Sequence, residues 1–191
     1  MWISHADSDH VGGLTQILRE VPAEEVVTSV YTELTGLPED QTVRTVSAGE
    51  TVSYGEAEFR VFAPSEDLES TNENSLVYKF CYKEFSMLFC GDIEEKAERL
   101  LLDIYGDALQ ADVLKVPHHG SASATSDALL EAVQPQYAVI SSGEDRNLLP
   151  RNETLKWLAD HGVEIFRTDE NGGIATLTDG AETKICTENG K

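Results

Sequence analysis

The chain has few cationic side chains and no long apolar segment. Its 14 lysines and arginines stand against 35 aspartates and glutamates, which gives a formal net charge of -21. A uniformly acidic surface repels phosphate groups, so this balance argues against binding of nucleic acid through an extended basic surface. No apolar run approaches the roughly 18 residues of a membrane-spanning helix, and no signal-peptide pattern opens the sequence. The sequence therefore predicts no membrane segment.

Cysteines are also scarce. The three that occur, Cys81, Cys90 and Cys186, form an odd and widely spaced set. This usage indicates reduced thiols rather than a disulfide framework, and we expect a cytoplasmic protein. With 191 residues, of which 40% are hydrophobic, the chain is long enough to bury a sizeable core. We therefore predict one domain over residues 1–191.

The most informative stretch is residues 4–13, Ser-His-Ala-Asp-Ser-Asp-His-Val-Gly-Gly. Within it, four potential metal ligands fall in six positions at the start of a predicted helix: His5, Asp7, Asp9 and His10. Imidazole nitrogens suit zinc and carboxylate oxygens suit harder cations such as manganese, so this mixture can hold either metal. The alternative is a solvated acidic turn. A helix cap, however, needs one serine or aspartate and not four ligands in a row.

Two further segments place polar side chains at predicted strand ends. Residues 111–121 form a short apolar strand that leads into His118 and His119 and then a Gly-Ser turn. A histidine pair at this position suits metal binding or proton transfer. Asp92 follows the apolar run 87–90, at the carboxyl end of a strand, where sheets of this kind place their sites. Taken alone, a Gly-Asp pair such as Gly91-Asp92 is more often a turn and helix cap.

Periodicity predicts an α/β chain in which strands alternate with helices and some strands form hairpins. The expected helices cover residues 9–21, the segment after Asp92, 126–133 and 153–161. The expected strands are 25–31, 58–63, 75–82, 85–90, 112–116, 137–141, 163–167 and 173–177. Residues 65–74 are almost entirely Ser, Thr, Asn, Asp and Glu, and we expect a mobile loop with solvated acids near the site.

The order of these motifs resembles the metallo-β-lactamase-type domain of the ComEC competence proteins and their soluble relatives. The matching blocks are His-x-Asp-x-Asp-His-x-Gly-Gly-Leu at 5–14, Asn-Ser-Leu-Val at 74–77, Phe-Cys-Gly-Asp-Ile at 89–93 and Leu-Lys-Val-Pro-His-His-Gly-Ser at 114–121. The likeness covers nearly the whole chain. It implies a four-layer αββα sandwich and metal-dependent hydrolysis of phosphodiesters, with DNA as the substrate during its uptake.

The chain departs from the family pattern at two places. Family members usually have a further pair of strands and a Leu-Leu-Asp-Thr-Gly type of motif before the first histidine, whereas here His5 lies four residues after Met1. We therefore expect an amino-terminally truncated sandwich whose exposed sheet edge is covered in a homodimer or lies beside a poorly ordered amino terminus. The family also has an Asn-x-Tyr-Gly-His-Pro motif near its carboxyl end. Alignment on Pro150 places Leu149 at the position of the histidine in this motif, and leucine binds no metal.

The resemblance assigns roles to individual residues. The implied ligands of one or two Zn²⁺ or Mn²⁺ ions are His5, Asp7, Asp9, His10, Asp92 and His118. Asp9 is expected to orient or deprotonate the attacking water, and His118 to act as ligand or as general acid with His119 supporting it. The residues expected to contact the substrate or its phosphate are Asn74, His119, Gly120 and Ser121. A plain turn role is an equal alternative for Asn74.

Three functions remain open at this point. The leading hypothesis is a phosphodiesterase or nuclease that acts on DNA, where bound metal ions and the nearby Lys115, Arg146 and Arg151 offset the negative charge. The second is a metallo-hydrolase of a small ester, thioester or lactone, which the net charge and Leu149 favour. The third is a non-catalytic remnant of the same fold. Metal content distinguishes the third from the other two.

Overall fold

The computed structural model describes residues 1–143 and 149–190. The chain begins with two short helices, α1 (Ser8–Val11) and α2 (Leu14–Glu20), and two short strands, β1 (Val26–Ser29) and β2 (Val43–Val46). Seven strands of a central sheet follow: β3 (Thr51–Tyr54), β4 (Ala57–Ala63), β5 (Val77–Tyr82), β6 (Phe85–Phe89), β7 (Val113–Lys115), β8 (Tyr137–Ile140) and β9 (Glu164–Arg167). The other elements are the helices α3 (Glu95–Tyr105), α4 (Asp127–Val133), α5 (Asn152–Asp160) and α6 (Thr168–Asn171) and the strands β10 (Ile174–Thr178) and β11 (Thr183–Thr187).

The central sheet is mixed, and its seven strands lie side by side in chain order. Neighbouring strands from β3 to β6 are antiparallel, and those from β6 to β9 are parallel. Two small sheets, β1 with β2 and β10 with β11, accompany it. Parallel strands end at the same edge of a sheet, so the segments that follow β6, β7, β8 and β9 meet there. The mixed α/β class predicted from the sequence is confirmed.

The two faces of the central sheet bury separate hydrophobic clusters. One face packs against α3, α4 and α5, with Leu88 of β6, Leu101 of α3 and Leu129 of α4 almost fully buried. The other face packs against β1 and β2, where Val27 contacts a cluster that includes Leu76. Complete burial of such a side chain contributes roughly 2 kcal/mol. The sheet is therefore a rigid base for the segments at its edge.

The structure corrects several details of the predicted elements. The helix expected over residues 9–21 is two helices, α1 and α2, because Gly12 and Gly13 separate them. The strands β2, β3 and β11 were not predicted from the sequence. The strands β2 and β3 each have a single buried residue, Val46 in β2 and Val52 in β3. None of the residues of β11 is fully buried. Their apolar signal is accordingly weak.

Solvated acids are predicted for the 65–74 segment, but not all of these acids are exposed in the structure. Glu73 is buried, and its carboxylate accepts hydrogen bonds from the backbone N–H groups of Glu94, Lys96 and Ala97, at distances of 2.8 to 3.2 Å. These N–H groups belong to the first turn of α3, which has no partner for them within the helix. Glu73 thus caps α3, which starts three residues after Asp92, and it ties the segment to the site.

The first residues of the chain are held on both sides. The Ile3 N–H donates to the Val27 carbonyl at 2.9 Å, and the Leu76 N–H donates to the Ser4 carbonyl at 2.7 Å. The first residues are therefore hydrogen-bonded to β1 and to the segment before β5, and both the homodimer and the poorly ordered amino terminus stay predictions. None of the helices in the described part of the chain is long and apolar enough to cross a membrane.

Candidate metal centre

Four ionisable side chains meet at the carboxyl edge of the parallel strands. Asp9 and His10 come from α1, Asp92 lies between β6 and α3, and His119 follows β7. One oxygen or nitrogen atom from each lies within 4.8 Å of the corresponding atom of the other three. The Oδ2 atom of Asp92 is 3.3 Å from the Nε2 atoms of both His10 and His119. The Asp9 Oδ2 atom is 3.2 Å from the same nitrogen of His119.

His5 and Asp7 adjoin this cluster. His5 is buried, and its Nε2 atom lies 3.8 Å from Asp7 Oδ2 and 3.9 Å from Asp92 Oδ2. In the described residues, His5 Nε2 and Asp92 Oδ1 are buried atoms without a hydrogen-bond partner. Buried polar atoms are rarely left unpaired, and three imidazoles among three carboxylates are a typical donor set for a divalent cation. The residues present therefore fit a metal ion.

The protonation states of His5 and Asp92 suit metal binding. Burial lowers the pKa of His5, and the neighbouring His10 lowers it further. Burial raises the pKa of Asp92, but hydrogen bonds with His10 and His119 outweigh this effect and hold it well below its usual range. Neutral imidazole and ionised carboxylate are the forms that bind metals. His5 and Asp92 are thus in the binding form at neutral pH.

Two serine hydroxyls contact the Nδ1 atoms of the first two histidines, His5 and His10. The Ser4 Oγ atom lies 3.0 Å from Nδ1 of His5 and 3.2 Å from Nδ1 of His10. The Ser75 Oγ atom lies 3.2 Å from Nδ1 of His5. Partners of this kind fix the ring orientation of metal-binding histidines. With Nδ1 engaged, both rings turn Nε2 towards the acids. The sequence analysis missed both serines, although each belongs to a motif that it singled out.

Gly91 allows these serines to approach. It has a φ of +55°, and a Cβ atom built on it would lie 2.7 Å from the Ser75 Cβ and 2.9 Å from the Ser4 Cβ. The next residue, Asp92, donates its N–H to the Ser75 Oγ atom at 3.0 Å. The Gly-Asp pair therefore needs glycine for two reasons, the left-handed backbone and the close contact.

The structure places the two adjacent histidines differently from the prediction. His119, not His118, contributes to the cluster. The Nδ1 atom of His118 lies 3.0 Å from a carboxylate oxygen of Glu94, without the alignment of a hydrogen bond. His118 and His119 have φ values of 45° and 52°, and this left-handed path decides which ring turns towards Asp92. His119 accordingly replaces His118 in the candidate ligand set.

Asn74 makes contacts within its own segment. Its Nδ2 atom donates to Asp67 Oδ1, and its Oδ1 atom accepts from the Leu68 N–H, both at 2.8 Å. The side chain is buried. These contacts match the turn role that the sequence analysis gave as the alternative to substrate binding.

Gly120 and Ser121 also make structural contacts. A Cβ atom on Gly120 would lie 2.5 Å from the Pro150 Cβ, so this turn packs tightly against the segment that contains Pro150. The Ser121 N–H donates to the His118 carbonyl at 2.8 Å, and its hydroxyl lies 2.9 Å from that of Ser123. A phosphate-binding role for these two residues stays a prediction.

An open cavity of about 410 Å³ adjoins the cluster. The described residues that line it are Asp9, His119, Ser141, Ser142, Gly143, Leu149 and Thr168. None of these is a lysine or arginine, and Arg146 lies outside the described residues. Leu149, where the family pattern leads us to expect a histidine, thus lines the same cavity as Asp9 and His119. Ser141, Ser142 and Thr168 follow strands β8 and β9, and no role was predicted for them from the sequence.

Comparison with known proteins places this geometry in context. A family model described as the metallo-beta-lactamase superfamily matches residues 1–144. ComE operon protein 3 of Bacillus subtilis is 30% identical over 185 residues, and competence protein ComA of Neisseria gonorrhoeae is 32% identical over 174. Each alignment covers 90% of this chain and 24% of the relative. The chain therefore spans about a quarter of the length of these relatives.

A solved structure shares the fold. Igni18, described as a novel metallo hydrolase from Ignicoccus hospitalis, superimposes with a TM-score of 0.62 and 14% sequence identity. The match covers 97% of this chain and 78% of that one. At this identity the likeness concerns the fold alone.

Proposed function

This chain belongs to the metallo-β-lactamase superfamily, and on that premise we propose that it is a metal-dependent phosphodiesterase that acts on DNA. Members of the superfamily are generally hydrolases that bind divalent metals. The observation that carries the proposal is the convergence of Asp9, His10, Asp92 and His119 beside an open cavity. The competence proteins among its relatives favour DNA as the substrate. Nitrogen and oxygen ligands in this mixture suit Zn²⁺ or Mn²⁺.

Each residue has a distinct task in this proposal. Asp9, His10, Asp92 and His119 would hold a divalent cation, which would supply Lewis acidity towards water and offset the charge of the phosphate. Asp92, which is buried, holds His10 and His119 in place. Asp9 has a side chain that is 60% exposed and lines the cavity. Its carboxylate is therefore placed to orient an attacking water and to accept its proton.

A second candidate is hydrolysis of a small ester, thioester or lactone. The observation in its favour is the cavity wall, whose described residues include no lysine or arginine. A polyanionic substrate gains little from such a wall, whereas a small neutral substrate does not need the positive charge.

Hydrolysis of bis(p-nitrophenyl) phosphate, measured beside a panel of p-nitrophenyl esters and lactones with Mn²⁺, Zn²⁺ or Mg²⁺, tests the proposal. We expect metal-stimulated phosphodiester turnover that Asp9→Asn lowers by about 100-fold, the usual contribution of a general base. The matched control is Asp103→Asn, which removes the same charge from the exposed face of α3 and leaves activity unchanged. Faster turnover of the esters would favour the second candidate. Equal activity of Asp9→Asn and the parent would contradict the role of Asp9.

Leu149→His is expected to raise both the number of bound metal ions and the phosphodiesterase activity. Leu149 borders the cavity next to Asp9 and His119, so an imidazole there adds a nitrogen ligand. Loss of a single supporting group already costs roughly 10- to 100-fold in metal affinity. We expect one tightly bound metal in the parent and two in the variant, by elemental analysis and titration calorimetry. Leu149→Phe is the control that adds a ring without a ligand. Two tightly bound metals in the parent, or no change in Leu149→His, would contradict this expectation.

A further inference from the structure

A chain of hydrogen bonds leads from the α6 helix to His119. The Nδ1 atom of His119 lies 2.8 Å from the carbonyl oxygen of Ser141. That carbonyl and the N–H of Ser142 belong to the same peptide group, and the N–H donates to the Thr168 Oγ1 atom at 2.8 Å. The Thr168 hydroxyl in turn donates to the Ser142 carbonyl at 2.6 Å. One threonine thus holds the peptide group that faces the histidine.

We propose that Thr168 is a positioning residue that fixes the orientation and tautomer of His119 through the Ser141–Ser142 peptide group. The inference rests on the metal centre of the proposed function but not on the substrate or the reaction.

The tautomer follows from the chemistry of the carbonyl. A carbonyl oxygen only accepts hydrogen bonds, so the contact with Ser141 requires a proton on Nδ1 of His119 and, in the neutral ring, opposes the Nε2–H tautomer that the carboxylates of Asp9 and Asp92 favour. The lone pair then lies on Nε2, which is 3.2 Å from Asp9 Oδ2 and 3.3 Å from Asp92 Oδ2. A tautomer with its proton on Nε2 would present a donor where a metal needs a lone pair. The bond to Ser141 therefore decides whether His119 can act as a ligand.

The peptide group transmits the constraint because it is planar and stiff. An N–H held at one end fixes the direction of the carbonyl at the other end. A hydrogen bond to the N–H also polarises the peptide and strengthens the carbonyl as an acceptor. Thr168 acts on both counts through the Ser142 N–H, and its bond to the Ser142 carbonyl holds the hydroxyl in place as the acceptor.

The fold brings Thr168 to this position. Strands β8 and β9 are parallel neighbours in which Ile140 pairs with Arg167, so Ser141 and Thr168 both lie one residue beyond a strand end. A second contact holds the same loop, because the Ser142 hydroxyl donates to Asp169 Oδ1 at 2.6 Å. The loop that carries the acceptor for His119 is thus anchored to the start of α6 by two side chains.

The parent protein gives the first test. In ¹⁵N spectra of the metal-free protein, at a pH at which the ring is neutral, we expect the Nδ1–H tautomer of His119. We also expect a scalar coupling across the hydrogen bond to the Ser141 carbonyl. An Nε2–H tautomer in the parent would overturn the proposal, whatever any variant does.

Variants give the second test. Thr168→Val keeps the shape of the side chain and removes the hydroxyl, whereas Thr168→Ser keeps the hydroxyl. We expect Thr168→Val to populate both tautomers of His119 and to lower the affinity for Mn²⁺ about tenfold by calorimetry. Thr168→Ser is expected to restore both the spectrum and the affinity. An unchanged tautomer and affinity in a folded Thr168→Val would overturn the proposal.

Thr178→Val is the matched control. The Thr178 hydroxyl also donates to a carbonyl and accepts from an N–H, with Glu182 and Gly180 as its partners, both at 2.9 Å. It lies in the β10–β11 hairpin, so its loss is expected to change stability in urea but not the His119 spectrum. An equal effect of both valine variants on metal affinity would reduce Thr168 to a structural role. None of these measurements uses a phosphodiester, so failure of the proposed reaction would leave this result unaffected.

Discussion

Replacing Asp92 by asparagine is expected to weaken binding of a divalent cation about 1000-fold while the protein stays folded. Asp92 is buried, and its Oδ2 atom lies within 3.9 Å of His5, His10 and His119. At an effective dielectric constant near 20, two unit charges 4 Å apart attract each other by about 4 kcal/mol. A loss of that size corresponds to roughly three factors of ten in affinity. The amide keeps the shape of the side chain and removes the charge.

Titration calorimetry with Mn²⁺ and unfolding in urea check this expectation together. Glu98→Gln is the matched control, because Glu98 is also a buried carboxylate but accepts hydrogen bonds from the N–H groups of Thr125 and Ser126. It is expected to lower stability and to leave metal affinity unchanged. If Asp92→Asn behaves like Glu98→Gln, then Asp92 is part of the turn and cap before α3 and not a ligand.

His119→Ala is expected to reduce metal affinity by about 100-fold or more, and His118→Ala to leave it within about threefold. The expected loss exceeds the 10- to 100-fold that supporting groups typically contribute, since His119 supplies a ligand atom itself. The two positions make a matched pair, because both have positive φ values and alanine bears the same backbone strain at either one. The reverse order of affinities would return His118 to the ligand set and contradict the geometry described above.

The sequence indicated where the site lies better than it indicated the roles of single residues. Asp9, His10 and Asp92 were singled out because their types and spacing are typical of metal ligands, and the structure brings them together. The choice between His118 and His119 depends on a backbone turn at positive φ, which residue types alone do not specify. The polar side chains of Asn74 and Glu73 suggested contact with substrate or solvent. In the structure, Asn74 contacts groups within its own loop, and Glu73 accepts hydrogen bonds from the backbone at the start of α3.

The fold was predictable where periodicity is strong. The strands β5 and β6 and the helix α3 have apolar patterns that match their buried faces, and the sequence analysis found all three. Thr168 and Ser141 were missed because neither has a ligand-type side chain. Their role depends on two strand ends that only the folded sheet brings side by side.

Anomalous X-ray scattering from crystals of the parent protein grown with Mn²⁺ tests the central claim most directly. We expect an anomalous difference peak among the carboxylate oxygens of Asp9 and Asp92 and the Nε2 atoms of His10 and His119. Fully occupied metal at another position, or no peak within coordination distance of Asp92 and His119, would contradict the assignment of this cluster as the metal centre.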